Sequence, residues 1–249
     1  MRLLTMSLRK SIKTGLLCLG AKWYHNRDSK LLYYHDVFGD TRYTEMGTPL
    51  SLFQLHLDVI EEEGFRVVQQ IKREEREVAL LFDDGFHGIY DVRQFFYNRQ
   101  MCPTVFLAVS LIGQEGYLNK EEILELQQQG FVFESHGWSH KDMTIYDDQG
   151  LHHELTDSRQ WLSDFLQKDV RELCLPMGFF SDRVVDHAQN AGYTTIYSSI
   201  PGCYHQLIHG SLRPRNLLQF ASPRQVRYIL RGGNVLFRKH FEKLHIRLK

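Results

Sequence analysis

Cysteine is scarce and scattered. Cys18, Cys102, Cys174 and Cys203 are the only four in 249 residues, and none forms a CxxC pair, so neither a thiolate zinc site nor a disulfide framework is expected, and a reducing compartment is. Long apolar runs are missing as well: no uncharged stretch approaches the roughly 18 residues that cross a bilayer. The run from Gly15 to Ala21 follows Arg2, Arg9, Lys10 and Lys13, but it is short and lacks the small-residue cleavage site of an export signal. A cytoplasmic place is expected from this. Neither sign of charge is in excess, with 30 Lys and Arg against 30 Asp and Glu.

The two signs are nevertheless separated along the chain. Residues 1–30 hold seven bases and one acid, residues 223–249 eight bases and one acid, and the middle fifteen bases and twenty-eight acids. An acidic body is a poor partner for nucleic acid. Two basic ends fit either solvated tails or a peripheral contact with an anionic inner membrane face.

From Lys30 onward, short β-rich runs alternate with amphipathic stretches. Leu31 to Tyr34 reads as a strand, Ser51 to Glu63 as a helix closed by Gly64, and Val78 to Phe82 as a strand covered on both faces. A helix over 88–100, a strand over 104–109, and a helix capped by Asn119 with Glu122 three positions on come next. Strands over 131–133, 173–175 and 193–197, a long helix within 149–167 and a helix capped by Ser181 complete the rhythm. Strand, helix, strand implies parallel pairing with crossover helices, hence one α/β domain, either a barrel or a doubly wound sheet. Residues 31–222 are read as that domain, with residues 1–30 and 223–249 as basic extensions.

Two segments carry chemistry. In Phe82-Asp83-Asp84-Gly85, adjacent carboxylates sit where a buried strand ends, the rim where parallel barrels do catalysis. Adjacent carboxylates repel, and a cation that neutralises one leaves the other free to accept a proton; an ordinary Asx turn is the plainer alternative. In Glu134-Ser135-His136-Gly137-Trp138-Ser139-His140, two imidazoles four apart can reach one metal ion, with a carboxylate as third ligand. His205 and His209 have the same spacing. The first pair is preferred because it directly follows a strand, whereas the second lies in a polar, Pro/Gly-flanked stretch. Trp138 reads as a sugar-facing wall or as loop packing, His35 and Asp36 as a strand-end pair at the site mouth or a satisfied one, and His152 and His153 as a solvated helix face.

Taken together, Phe82 to Gly85, the His136/His140 pair behind Glu134-Ser135, and Leu175-Pro176-Met177-Gly178 followed by Ser181 to Val185 resemble successive motifs of the polysaccharide deacetylase family, also called carbohydrate esterase family 4 or the NodB-homology domain. The likeness runs in order from about Leu31 to Leu217. It implies a distorted (β/α)7-type barrel and a hydrolase that removes acetyl from an N-acetylated sugar of a glycan, or of a lipid- or nucleotide-linked precursor used in glycan biosynthesis. It also implies one divalent ion, Zn²⁺ by preference, on Asp84, His136 and His140, with Asp83 as general base and the backbone N–H of Met177 in the oxyanion hole. Two departures bear on this. Cys174 stands where many members place an Arg that steadies the base, and Arg213 or Arg215 would supply that charge from elsewhere; Arg215 is also a substrate-binding candidate. The family's late proton-donor histidine has His209 as its loose counterpart. An inactive carbohydrate-binding relative, or an O-deacetylase or deformylase, is the competing expectation.

Overall fold

A computed structural model of the chain describes residues 2–247, with side chains from residue 11 onward. Of the basic residues counted in the sequence, Lys249 lies outside the described residues, as do the side chains of Arg2, Arg9 and Lys10. The elements run α1 (Arg2–Tyr24), β1 (Lys30–Tyr34), β2 (Asp36–Phe38), β3 (Gly47–Pro49), α2 (Leu50–Glu62), β4 (Arg66–Val67), β5 (Glu77–Phe82), α3 (Gly88–Asp91), α4 (Arg93–Asn98), β6 (Thr104–Leu107) and α5 (Lys120–Gln128). They continue with β7 (Val132–Ser135), α6 (Asp148–His152), α7 (Ser158–Leu166), β8 (Glu172–Cys174), α8 (Asp182–Asn190), β9 (Thr195–Tyr197), β10 (Leu212–Arg213), β11 (Asn216–Leu217), α9 (Pro223–Leu230) and α10 (Arg238–His245).

The main sheet has the order β10-β9-β8-β7-β6-β5-β1-β11, with β4 also paired to β5, and every pairing in it is parallel. Its two outermost strands, β10 and β11, are consecutive in the chain, joined only by Pro214 and Arg215. A sheet whose two edges are tied by a two-residue link has curled on itself. The expected distorted barrel is therefore present, as a single domain, and its seam falls at Arg215.

Side-chain alternation divides the buried residues into two sets. Along β5, Val78, Leu80 and Phe82 join the large outer core with Phe53, Phe96, Phe133 and Leu173, under the helices. Ala79 and Leu81 point the other way, into a smaller cluster with Leu31, Tyr33, Phe106, Cys174 and Tyr197 that fills the barrel. This is why β5 is buried at all six positions and reads as an uninterrupted apolar run.

Several boundaries depart from expectation for local reasons. The helix over 88–100 is broken at Val92 into α3 and α4. The long helix within 149–167 carries a wider π turn over His153–Asp157 between α6 and α7. There the Ser158 hydroxyl donates to the carbonyl of Glu154 at 2.5 Å, a back-bond of the kind that bends helices. Asn119 and Ser181 cap α5 and α8 as expected, the former with a full capping box. The basic ends are helical: α1 packs on α9 and on the 3-10 turn Gly233–Phe237 that leads into α10. Among the described residues, no helix is long and apolar enough to cross a membrane.

Candidate active site

The site stands at the C-terminal rim of the barrel and begins at the end of β5. Continuing the alternation of Ala79 and Leu81, Asp83 points into the barrel. The next two residues break that alternation, because Asp84 (φ 72°) and Gly85 (φ 77°) are both left-handed. Asp tolerates that region better than most residues, and Gly without penalty. The turn gives the two neighbouring carboxylates separate surroundings.

Asp84 meets the histidine pair. Its Oδ1 lies 3.2 Å from Nε2 of His136 and 2.9 Å from Nε2 of His140. His136 follows β7 directly, and its Nδ1 is 2.7 Å from the carbonyl oxygen of Cys174. A carbonyl only accepts, so Nδ1 donates to it, and Nε2 is left as the atom that faces Asp84 and the one a metal would bind. Asp84 Oδ1 is buried and accepts no well-formed hydrogen bond. Burial by itself would raise the Asp84 carboxyl, but the two imidazoles outweigh it and hold it well below the usual carboxylate range. Three donor atoms facing one point, one of them an orphaned buried oxygen, fit a divalent cation. His140 reaches this point from a left-handed backbone (φ 57°), and the loop that carries it is anchored by Glu154, whose Oε2 accepts from the N–H groups of Trp138 and Ser139, both at 3.0 Å.

Asp83 meets an arginine instead. Arg215 Nη1 and Nη2 donate to Oδ1 and Oδ2 at 2.6 and 2.9 Å, and its Nε donates to the carbonyl of Ser198 at 3.0 Å. The guanidinium lies over the Tyr33 ring, 4.2 Å from the centroid, and has no exposed surface. Burial would push the Asp83 carboxyl up; Arg215 above all, with His136 and His35, brings it below its ordinary value. His35 ends the run from β1, half-buried, with Nδ1 2.5 Å from Oε1 of Gln219. Asp83, His136 and Cys174 also lie within one cluster. That set is the poorer ligand site, since Asp83 is committed to Arg215 and burial pushes the Cys174 thiol well up, away from the thiolate a metal needs.

Of the residues expected from sequence, the structure brings Asp83, Asp84, His136 and His140 together. Met177, on the loop after β8, is left-handed (φ 58°) with a half-exposed side chain. Three other expected residues are placed as follows. The Arg215 guanidinium is buried and committed to Asp83 and Ser198. His209 is exposed, its ring 5.3 Å from that of Phe180, and no contact among the described residues ties it to either aspartate. Trp138 is half-buried and packs on the core, with its ring 4.5 Å from that of His153. The second pair does not converge on a ligand set among the described residues: His205 is exposed, its Nε2 3.3 Å from the carbonyl oxygen of Arg73. Glu134 turns its carboxylate to Lys168 and to the N–H groups of Arg171 and Glu172, away from the site. Sequence reading missed Glu154 and Gln219, for which no local motif exists.

The site is thus an Asp-His-His cluster able to hold a cation, beside a second, arginine-held aspartate, at the rim of a parallel barrel. The profile of the polysaccharide deacetylase family matches residues 70–196, about half of the chain, and the chain belongs to that family. YxkH of Bacillus subtilis (strain 168), whose name carries the same family description, is 23% identical over 183 residues, covering 69% of this chain and 64% of that protein. The peptidoglycan-N-acetylglucosamine deacetylase of Bacillus cereus is 27% identical over 142 residues, covering 55% of this chain and 62% of that protein. The matches thus span less than two thirds of either relative. In fold, the chain is similar to the Streptococcus pyogenes deacetylase PplD, solved in complex with acetate, with a TM-score of 0.72 at 18% identity over 82% of this chain and 98% of that one.

Proposed function

We propose that the protein is a divalent-metal-dependent hydrolase that removes acetyl from an N-acetylated amino sugar. The observation that carries this reading is the convergence of Asp84 Oδ1 with the Nε2 atoms of His136 and His140, beside an Asp83 kept ionised by Arg215. A divalent cation held by Asp84, His136 and His140, Zn²⁺ by preference, would polarise the amide carbonyl and make a nearby water more acidic.

The remaining chemistry falls to the chain itself. Asp83 keeps lone pairs free after binding Arg215, because a carboxylate offers about four acceptor positions; as general base it takes a proton from the attacking water. The C–O bond to the acyl carbon forms, the C–N bond breaks, and water's oxygen leaves in acetate. The leaving amine needs a proton. His35 takes that role in place of His209, since it stands at the rim close enough to act on Asp83 and is oriented by Gln219. The backbone N–H of Met177, on the loop after β8, would donate to the developing oxyanion, as the family resemblance implies. Phe220, exposed beside Gln219, offers an aromatic face of the kind that suits sugar rings.

The competing reading, an inactive carbohydrate-binding relative, drew its weight from Cys174. Arg215 weakens it by supplying the missing positive charge across the barrel. The substrate we favour is a polymer, lipid-linked or nucleotide-linked precursor handled on the cytoplasmic side, with the basic ends toward the inner membrane face. The test is acetate release from N-acetylglucosamine oligomers by metal-loaded protein, beside Asp83→Asn. Binding of the oligomers with no acetate release under any metal would favour the inactive relative, and release from O-acetylated sugars alone would favour an O-deacetylase.

A further inference from the structure

We infer that α1 is an interfacial anchor, which lays an apolar stripe on an anionic lipid bilayer. This goes beyond a general attraction of basic ends, and it does not depend on the deacetylase reading. Ile12, Leu16, Leu19 and Trp23 are 54%, 40%, 39% and 69% exposed. Their spacing of four, three and four places them in one stripe roughly 60° wide at 100° per residue. The opposite face is already occupied: Leu17 and Ala21 are buried, and the Thr14 hydroxyl accepts from the side-chain amide of Gln225 at 2.8 Å. The orientation is fixed by a glycine crossing. A Cβ on Gly20 would fall 2.4 Å from the carbonyl oxygen of Gly233, and one on Gly233 would fall 2.3 Å from that of Leu17. The helix cannot rotate to bury its stripe without losing that contact.

Charge identifies the occupant. Residues 2–24 contain five basic residues and no acid. On the wheel, the exposed Lys13 and Lys22 fall on either side of the stripe, where their stems can lie along a lipid surface with the ammonium groups at headgroup level. The second basic end is tied to the first, because α1 packs on the turn Gly233–Phe237, and that turn leads straight into α10. There Lys239 and Lys243 are exposed, with Leu244 between them and the chain end. The far end of α10 returns to the catalytic rim: Phe180 N–H donates to the carbonyl of His245, and Arg247 N–H to that of Phe180, three residues from Met177. A second protein copy or a protein partner would match the apolar stripe but would not require an acid-free helix with a lysine along each edge of it.

The test is vesicle co-sedimentation of the full chain on phosphatidylcholine vesicles with and without phosphatidylglycerol, at low and high salt. The expected result is binding at least about tenfold tighter to the anionic vesicles, weakened by salt, and a blue shift of Trp23 emission identified against Trp23→Phe. Replacing Ile12, Leu16, Leu19 and Trp23 together by Ser should abolish binding while leaving activity unchanged, as none of the four belongs to the candidate active site. Lys13→Glu with Lys22→Glu should lower anionic binding without changing the weak neutral binding. The inference is overturned if the serine variant binds like the wild type, if neutral and anionic vesicles bind equally, or if the wild type ignores vesicles. It is also overturned if sedimentation equilibrium shows a dimer that the serine variant loses, which would make a second copy the occupant.

Discussion

Arg215 grips Asp83 with both terminal nitrogens across 132 residues of sequence, and the grip closes over the seam where the sheet meets itself. One ion pair therefore ties the barrel's last link to its catalytic strand and sets the ionisation of the base. Arg215→Met should break it. Leaving a buried carboxylate uncompensated costs about 3–5 kcal/mol, so a large fall in denaturant midpoint is expected. Arg215→Lys keeps a charge but loses the fork. With Asp83 less well compensated, its carboxyl should rise, and because the base works ionised, the acidic limb of the pH–rate profile should move to higher pH. An unmoved limb with lower kcat alone would assign Arg215 a purely structural role.

Metal content separates the two aspartates. Asp84→Ala, His136→Ala and His140→Ala should each lose the bound divalent ion, whereas Asp83→Asn should retain about one per chain and lose at least about a hundredfold in kcat. Elemental analysis of the purified variants, with His205→Ala as a control that keeps its metal, checks this. Loss of the ion in Asp83→Asn would move the ligand set to Asp83, His136 and Cys174.

His35→Gln should lower kcat by roughly a hundredfold with the ion retained, the usual loss when a general acid is removed. His209→Ala should leave kcat within about twofold, a margin of about 0.4 kcal/mol in activation free energy. The reverse outcome would return the proton-donor role to His209.

Cys174 and Arg215 show what was legible in the sequence and what was not. The adjacent Asp pair, the His136/His140 spacing and the run Val78 to Phe82 are local signals, readable because strand alternation and a following turn fix where such side chains emerge. The route by which a base aspartate acquires its arginine is not local. At position 174 the sequence shows only an absence, and Arg213 and Arg215 were equal candidates until β10 and β11 were seen to close the sheet, sending Arg215 into the barrel and Arg213 to the ring of Tyr204 at 4.3 Å. The places of His209 and Trp138 are equally non-local, since they depend on which loops share a rim. The end helices were read as extensions because charge is visible in a sequence, whereas a glycine crossing such as Gly20 on Gly233 is not.

This geometry makes a prediction about position 174. Cys174 is fully buried, and its carbonyl holds His136. Cys174→Arg restores the family's residue but forces a second guanidinium into a filled interior. A loss of about 3 kcal/mol or more is expected from overpacking and unpaired charge. Cys174→Arg with Arg215→Ala should recover part of that loss, because one guanidinium then serves Asp83. A strictly additive double variant, measured by chemical denaturation, would mean that the two sites do not share the space.

Asp36 supplies a pH dependence of stability that is independent of catalysis. Burial pushes its carboxyl up to about 7, outweighing the N–H groups of Val37, Ile89 and Gly88 that favour the ionised form. In the unfolded chain the same group has a pKa of about 3.9. The folded state therefore keeps a proton that the unfolded state has released, so the stabilisation is full below about pH 4 and is lost as pH climbs through 7. Asp36→Asn is neutral throughout and lacks this term. Subtracting its unfolding free energy from that of the wild type cancels the titrations of the shared His and Asp residues, and the difference should fall by up to about 3 kcal/mol between about pH 5 and pH 8. Urea midpoints of both proteins across that range provide the measurement. Parallel curves would show that Asp36 ionises as freely in the folded protein as in water, and that its burial between β2 and α3 carries no electrostatic cost.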